Sequence, residues 1–136
     1  MTDLAKKLGL KAGQVVHLHS APPEAVAVIR EAAPNGVEFI ENLGRRRYDI
    51  ILWWPRKLAG MPEHFSRLQR HINPDGAIWA VMPKKKYARE RGIDFTWEQM
   101  QAAGLRTDLV DNKVASVTET DYGTRFVIRK ERRADA

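Results

Sequence analysis

The sequence predicts an α/β three-layer sandwich: a mostly parallel sheet with helices on both faces, ending in an antiparallel hairpin. Three observations carry this. Tyr48–Trp54 and Ala77–Met82 are almost unbroken apolar runs, the pattern of central parallel strands covered on both faces. Strand-like and helix-like segments alternate along the first hundred residues, which argues for a doubly wound sheet. The last strand-like pair flanks a short polar turn. One domain is expected to cover residues 1–136, and a chain of that size buries roughly two-thirds of its unfolded surface.

Leu4, Leu8 and Leu10, interleaved with Lys6, Lys7 and Lys11, predict a short amphipathic helix ending at Gly9. Gln14–His19 is a first strand, halted by Ser20-Ala21-Pro22-Pro23. Two prolines suit the first turn of the next helix, where no backbone donor is needed. That helix runs from Glu24 to Ala33, and Pro34-Asn35-Gly36 stops it. Val37–Glu41 is a short strand, and Arg45, Arg46 and Arg47 lie in the connection to the strand Tyr48–Trp54. Beyond Pro55 a helical stretch breaks near Gly60-Met61-Pro62 and continues with Phe65, Leu68 and Ile72 inward. Asn73-Pro74-Asp75-Gly76 reads as a turn. Pro83 ends the strand Ala77–Met82. Phe95–Ala103 is a helix that Gly104 would cap, with Asp94 at its start. Asp111–Thr118 and Thr124–Arg129 form the hairpin, with Asp121-Tyr122-Gly123 in its turn.

Composition narrows the chemistry. The chain has no cysteine, which excludes a disulfide framework, a thiolate zinc site and a cysteine nucleophile. No apolar run is long enough to span a bilayer, and the first residues carry no signal-peptide core. A cytoplasmic protein without membrane association is therefore expected. The net charge of +6 is evenly divided: ten basic against seven acidic residues up to residue 68, and thirteen against ten beyond it. The excess gathers locally, most densely at Lys84-Lys85-Lys86 directly after a strand. Arg129–Arg133 reads as a solvated terminus.

The order of elements resembles the S-adenosylmethionine-dependent methyltransferase fold, shortened in its first half, so the predicted architecture is a reduced Rossmann-like, methyltransferase-like domain. The resemblance runs through Tyr48-Asp49-Ile50-Ile51-Leu52, Ile72–Trp79 and the hairpin from Val110 to Lys130. The chain also resembles a bacterial family of small proteins of unknown function (domain of unknown function "thirty fifty-two"). That likeness rests on Asp3–Gln14, Asp75–Trp79, Pro83-Lys84-Lys85 and Val110–Val114, and implies no activity. The methyltransferase resemblance implies a glycine-rich turn after the first strand, where backbone amides approach the cofactor. Here that turn is Ser20-Ala21-Pro22-Pro23-Glu24, without glycine and with two prolines in place of amide donors. Glu41 alone could stand for the acidic residue that holds ribose. No cofactor is therefore expected, with S-adenosylmethionine kept only as the less favoured alternative.

In an open α/β sheet, ligands bind at the carboxyl ends of the strands, where the strand order switches. That rule selects Ser20, Trp54, Arg56, Lys84 and Lys85 as candidate ligand-binding residues. Arg56 would grip an anion bidentately, and Lys84 and Lys85 would act as point charges. Trp53 and Trp54 face opposite sides of their strand. His17 and His19 share a strand face, but no convincing third ligand accompanies them, so they read as half-buried strand histidines and no metal is expected. His64 and His71 read as surface or partner contacts. No Gly-x-Ser-x-Gly elbow, phosphate loop or zinc-binding helix is present. The expected function is a non-catalytic binding or regulatory module, with an anionic small molecule or a protein as partner. The alternatives are a divergent S-adenosylmethionine-dependent methyltransferase-like enzyme and a nucleic-acid-binding accessory protein.

Overall fold

Alternation of side chains along the two central apolar strands divides the core into two halves, one on each face of a single sheet. The structure, a computed structural model, describes residues 2–135. Its elements are α1 (Asp3–Leu8), β1 (Val15–His19), α2 (Pro23–Ala32), β2 (Glu38–Ile40), β3 (Tyr48–Trp53), α3 (Met61–Gln69), β4 (Ile72–Pro83), α4 (Lys85–Ala88), α5 (Trp97–Leu105), β5 (Leu109–Ser116) and β6 (Asp121–Ile128). A 3-10 helix, Lys130–Asp135, follows. The sheet order is β2-β1-β3-β4-β6-β5. The first four strands are parallel, and β6 is antiparallel to both β4 and β5. The predicted α/β sandwich is therefore correct in class and strand direction. Among the described residues no helix is long and apolar enough to cross a membrane.

One face packs Val16, Leu18, Leu52, Trp54, Trp79 and Val81 against Ala5 and Leu8 of α1 and Ala25 and Ile29 of α2. The other packs Ile51, Trp53, Ile78 and Phe126 against Phe65 and Leu68 of α3 and Met100 and Ala103 of α5. Trp53 and Trp54 thus part to opposite faces, both buried.

Three predicted boundaries fall differently. Asn73-Pro74-Asp75-Gly76 lies inside β4 as an irregularity: Tyr48 pairs with Ile72, but Ile50 already pairs with Ala77. Asn73 is anchored there by Asp49, whose Oδ1 accepts from its Nδ2 at 2.9 Å. Asp49 Oδ2 also accepts from Val15 N, tying the starts of three strands together. Gly104 does not cap α5 but lies within it, where a Cβ would stand 2.4 Å from the Phe126 ring. Close helix-to-sheet packing, not chain reversal, requires that glycine. Thr96 caps α5 instead, in a reciprocal capping box with Gln99, while Asp94 accepts from Leu58 N.

Candidate functional site

β1 pairs with β2 on one side and β3 on the other, so the switch point of the sheet lies between β1 and β3. Beside it, the carboxyl ends of β3 and β4 open onto a cleft of about 760 Å³, within the range of small-molecule sites. One wall is the first turns of α2, with Pro22, Ala25 and Val28. The floor is Trp54, Pro55 and Val81, and the far wall is Ile93 with Thr118–Asp121, the link from β5 into β6.

The polar centre is Asp121, only 2% exposed. It is the first residue of β6, opposite Pro83 at the end of β4. Oδ1 accepts from Arg91 Nη1 at 2.6 Å and from Thr120 Oγ1 at 2.9 Å. Oδ2 accepts from Trp54 Nε1 at 3.2 Å. Arg91 Nη2 also donates to Thr120 Oγ1 at 2.7 Å. A buried carboxylate is tolerated only when its charge and lone pairs are met this fully. The network also fixes the indole of Trp54 along the cleft.

Trp54 and Arg56, both selected from sequence, line the cleft. Ser20, Lys84 and Lys85 do not. Ser20 is exposed in the turn after β1 at φ +58°, the one non-glycine with positive φ among the described residues. Lys84 is exposed, with its Nζ donating to Glu119 O at 2.8 Å. Lys85 is exposed on α4. Sequence reasoning missed Arg91, Thr120, Asp121 and Glu24. Asp121 occupies a strand rather than the hairpin turn, because the reversal falls earlier, at Val117–Thr120. The lining carries Glu24, Glu119 and Asp121 against Arg56 and Arg91, so its charge is mixed rather than basic.

The histidines form a second constellation, on the α3 face. His17 Nδ1 lies 2.8 Å from Ile40 O, His17 Nε2 2.9 Å from His19 Nδ1, and His19 Nε2 3.0 Å from His64 Nε2. A carbonyl only accepts, so in the neutral chain every tautomer follows: His17 and His19 carry the proton on Nδ1 and His64 on Nε2. Tyr48 stacks on His17, and Trp53 lies 4.5 Å from His64. His64 is thus a partner of His19 rather than a surface group. Burial lowers all three basicities, and repulsion of a proton on His19 by His17, His64, Arg67 and His71 takes it down further, to about 4. Among the described residues no group of three or more His, Asp or Glu is placed to hold a metal ion.

No protein-family model matches the chain, and no curated protein matches it. Solved structures do. One, described as a type 11 methyltransferase from Sulfolobus solfataricus, has a TM-score of 0.65 at 13% identity, covering 94% of this chain and 90% of that one. A TehB-like SAM-dependent methyltransferase from Corynebacterium glutamicum gives 0.56 at 10%, over 93% and 87%. A methyltransferase from Pyrococcus furiosus gives 0.52 at 13%, over 90% and 78%. The chain has the methyltransferase-like Rossmann fold. At such identities the likeness is one of fold, and activity has to be argued from the site.

The turn after β1 does not fit S-adenosylmethionine held by backbone amides. Pro22 is the N-cap of α2 without a side-chain bond, and Pro23 is its first residue. Neither offers an N–H. Glu41 is exposed and outside the cleft.

Proposed function

We propose that this chain is a small-molecule-binding protein of the methyltransferase fold. Its ligand sits in the cleft between α2, Trp54 and the β5–β6 link. The observation that carries the reading is the network of Arg91 and Trp54 around the buried Asp121 carboxylate, beside the sheet's switch point. It holds an aromatic wall and a guanidinium where this architecture binds ligands. Largely apolar walls with carboxylates and guanidiniums at the rim suit a ligand that carries both charge signs on an apolar body. A simple anion, the expectation from Lys84 and Lys85, is less well matched.

A methyltransferase-like enzyme is the second reading, and the fold comparisons favour it over a purely non-catalytic module. S-adenosylmethionine carries a carboxylate, an ammonium and a sulfonium on an adenosine body, so its charges suit the mixed rim. The prolines after β1 oppose the amide-cradled pose, and binding would have to rest on side chains.

Thermal unfolding with a metabolite panel that includes S-adenosylmethionine and S-adenosylhomocysteine tests both. A ligand at a hundred times its Kd adds about 2.7 kcal/mol, a rise of about 5–15 °C in Tm for a domain of this size. The shift should fall in Arg56→Gln and in Trp54→Phe. A ligand whose shift ignores both substitutions would reject the cleft. No shift with either S-adenosyl compound would reject the methyltransferase reading.

A further inference from the structure

A second groove, of about 280 Å³, lies between the end of α1 and the β5–β6 hairpin. Its lining is Lys6, Lys7, Gly9, Asn112, Lys113 and Arg125: four cations and no carboxylate. The fold assembles it from the two ends of the chain. Lys113 Nζ donates to Lys7 O at 2.8 Å across 106 residues of sequence.

Two of the cations are held by hydrogen bonds within the fold. Lys113 is tied to that carbonyl. Arg125, on β6 opposite Trp79, is partly buried, and Nη1 donates to Asn112 Oδ1 at 3.3 Å. That bond uses one of five guanidinium N–H groups. Burial and the nearby Arg133 also hold Arg125 below the usual guanidinium range. The ion pairs found among the described residues, Arg46–Glu38, Arg91–Asp121 and Arg132–Asp108, lie elsewhere. Complementing the negative end of α1 accounts for Lys6, Lys7 and Lys113. It does not account for Arg125, which belongs to no helix end.

We propose that this groove binds phosphate groups, with Arg125 as the bidentate anchor and Lys6, Lys7 and Lys113 as point charges around it. Phosphate oxygens accept several hydrogen bonds at once and match the planar fork of arginine. The phosphates come either from a small polyphosphate or from a nucleic-acid backbone, and the same residues would read both.

Calorimetric titration of the full chain with sodium tripolyphosphate, beside anisotropy with a short labelled single-stranded DNA, separates the sources. The variants are Lys6→Glu with Lys7→Glu, and Arg125→Gln. Lys84→Glu with Lys85→Glu is the control for general charge. Each lost contact should weaken binding about tenfold, while the control keeps the original affinity. Lys6 and Lys7 are exposed, so that pair tests the groove even if Arg125→Gln unfolds. Tripolyphosphate binding lost in the groove variants assigns a small polyphosphate. DNA binding alone, with a steep salt slope and the same losses, assigns the backbone. Binding of neither probe, or equal losses in groove and control variants, overturns the site.

Discussion

The histidine chain makes the fold sensitive to mild acid. Neutral imidazoles join Ile40 O, His17, His19 and His64 in one orientation. A proton added to His17 or His19 turns an acceptor nitrogen into a donor facing another donor. His17 and His19 of β1, His64 and Arg67 of α3, and His71 just beyond α3 then share a crowded positive region, with Tyr48 of β3 as a neutral neighbour. His19 falls from 6.5 to about 4 in the fold, so the unfolded chain binds more protons between those values. Stability from this group is complete above pH 6.5, declines as pH drops toward 4, and declines no further below that. At pH 5 the loss from His19 is about 1–2 kcal/mol once screening at its partly exposed edge is allowed for. That is a substantial share of a typical stability of about 5–15 kcal/mol. Urea unfolding at pH 7.5 and 5 measures it, with an unchanged m-value as the check on two-state behaviour. In His19→Gln the difference between the two pH values should shrink by that amount, whatever the variant's absolute stability. A His19 imidazole titrating near 6.5 by NMR, or an undiminished pH dependence in His19→Gln, would refute the reasoning.

Three further predictions follow from particular contacts. Arg91→Met leaves the carboxylate of Asp121 buried without its cation and should cost about 1–3 kcal/mol, since Arg91 itself is partly exposed. Adding Asp121→Asn should recover part of that loss, and strictly additive losses in a denaturation cycle would contradict the coupling. Gly104→Ala drives a methyl into Phe126 and should destabilise by about 1–3 kcal/mol. A gain, as expected at an open helix position, would show that α5 is free to shift. Ser20→Gly removes a side chain from a left-handed residue and should raise stability by about 0.5–1 kcal/mol. A lower Tm would mean that the serine makes a stabilising contact.

Legibility in the sequence tracked how local the physical cause was. Tyr48–Trp54 and Ala77–Met82 announced central strands because burial on both faces leaves no polar alternation to misread. Pro22-Pro23 marked the start of α2 because proline's constraints are local. Asn73–Gly76 misled for the converse reason. Turn-forming residues lay within a strand because Asp49 and Asn73 hold the irregularity across the sheet. Gly104 misleads because a helix-capping glycine and a glycine making room for Phe126 look alike in one dimension. Only one side of the cleft was legible. Trp54 and Arg56 follow a strand that could be located, so the switch-point rule selected them. Arg91, Thr120 and Asp121 were hidden, since their roles depend on pairing β6 against β4.

The sequence by itself determined the class of fold, the two-faced core and the end of the sheet where the cleft opens. Period-two burial, apolar runs and proline stops act within a few residues, and the alternation of elements limits the topology. Only the tertiary structure decided which charges meet. It turned an evenly spread +6 into one cleft of mixed sign and one groove of four cations drawn from both ends of the chain. It also linked His19, itself bonded to His17, to His64 across 45 residues. Electrostatics and hydrogen bonds depend on distance through space, and that distance is fixed only when the strands pair.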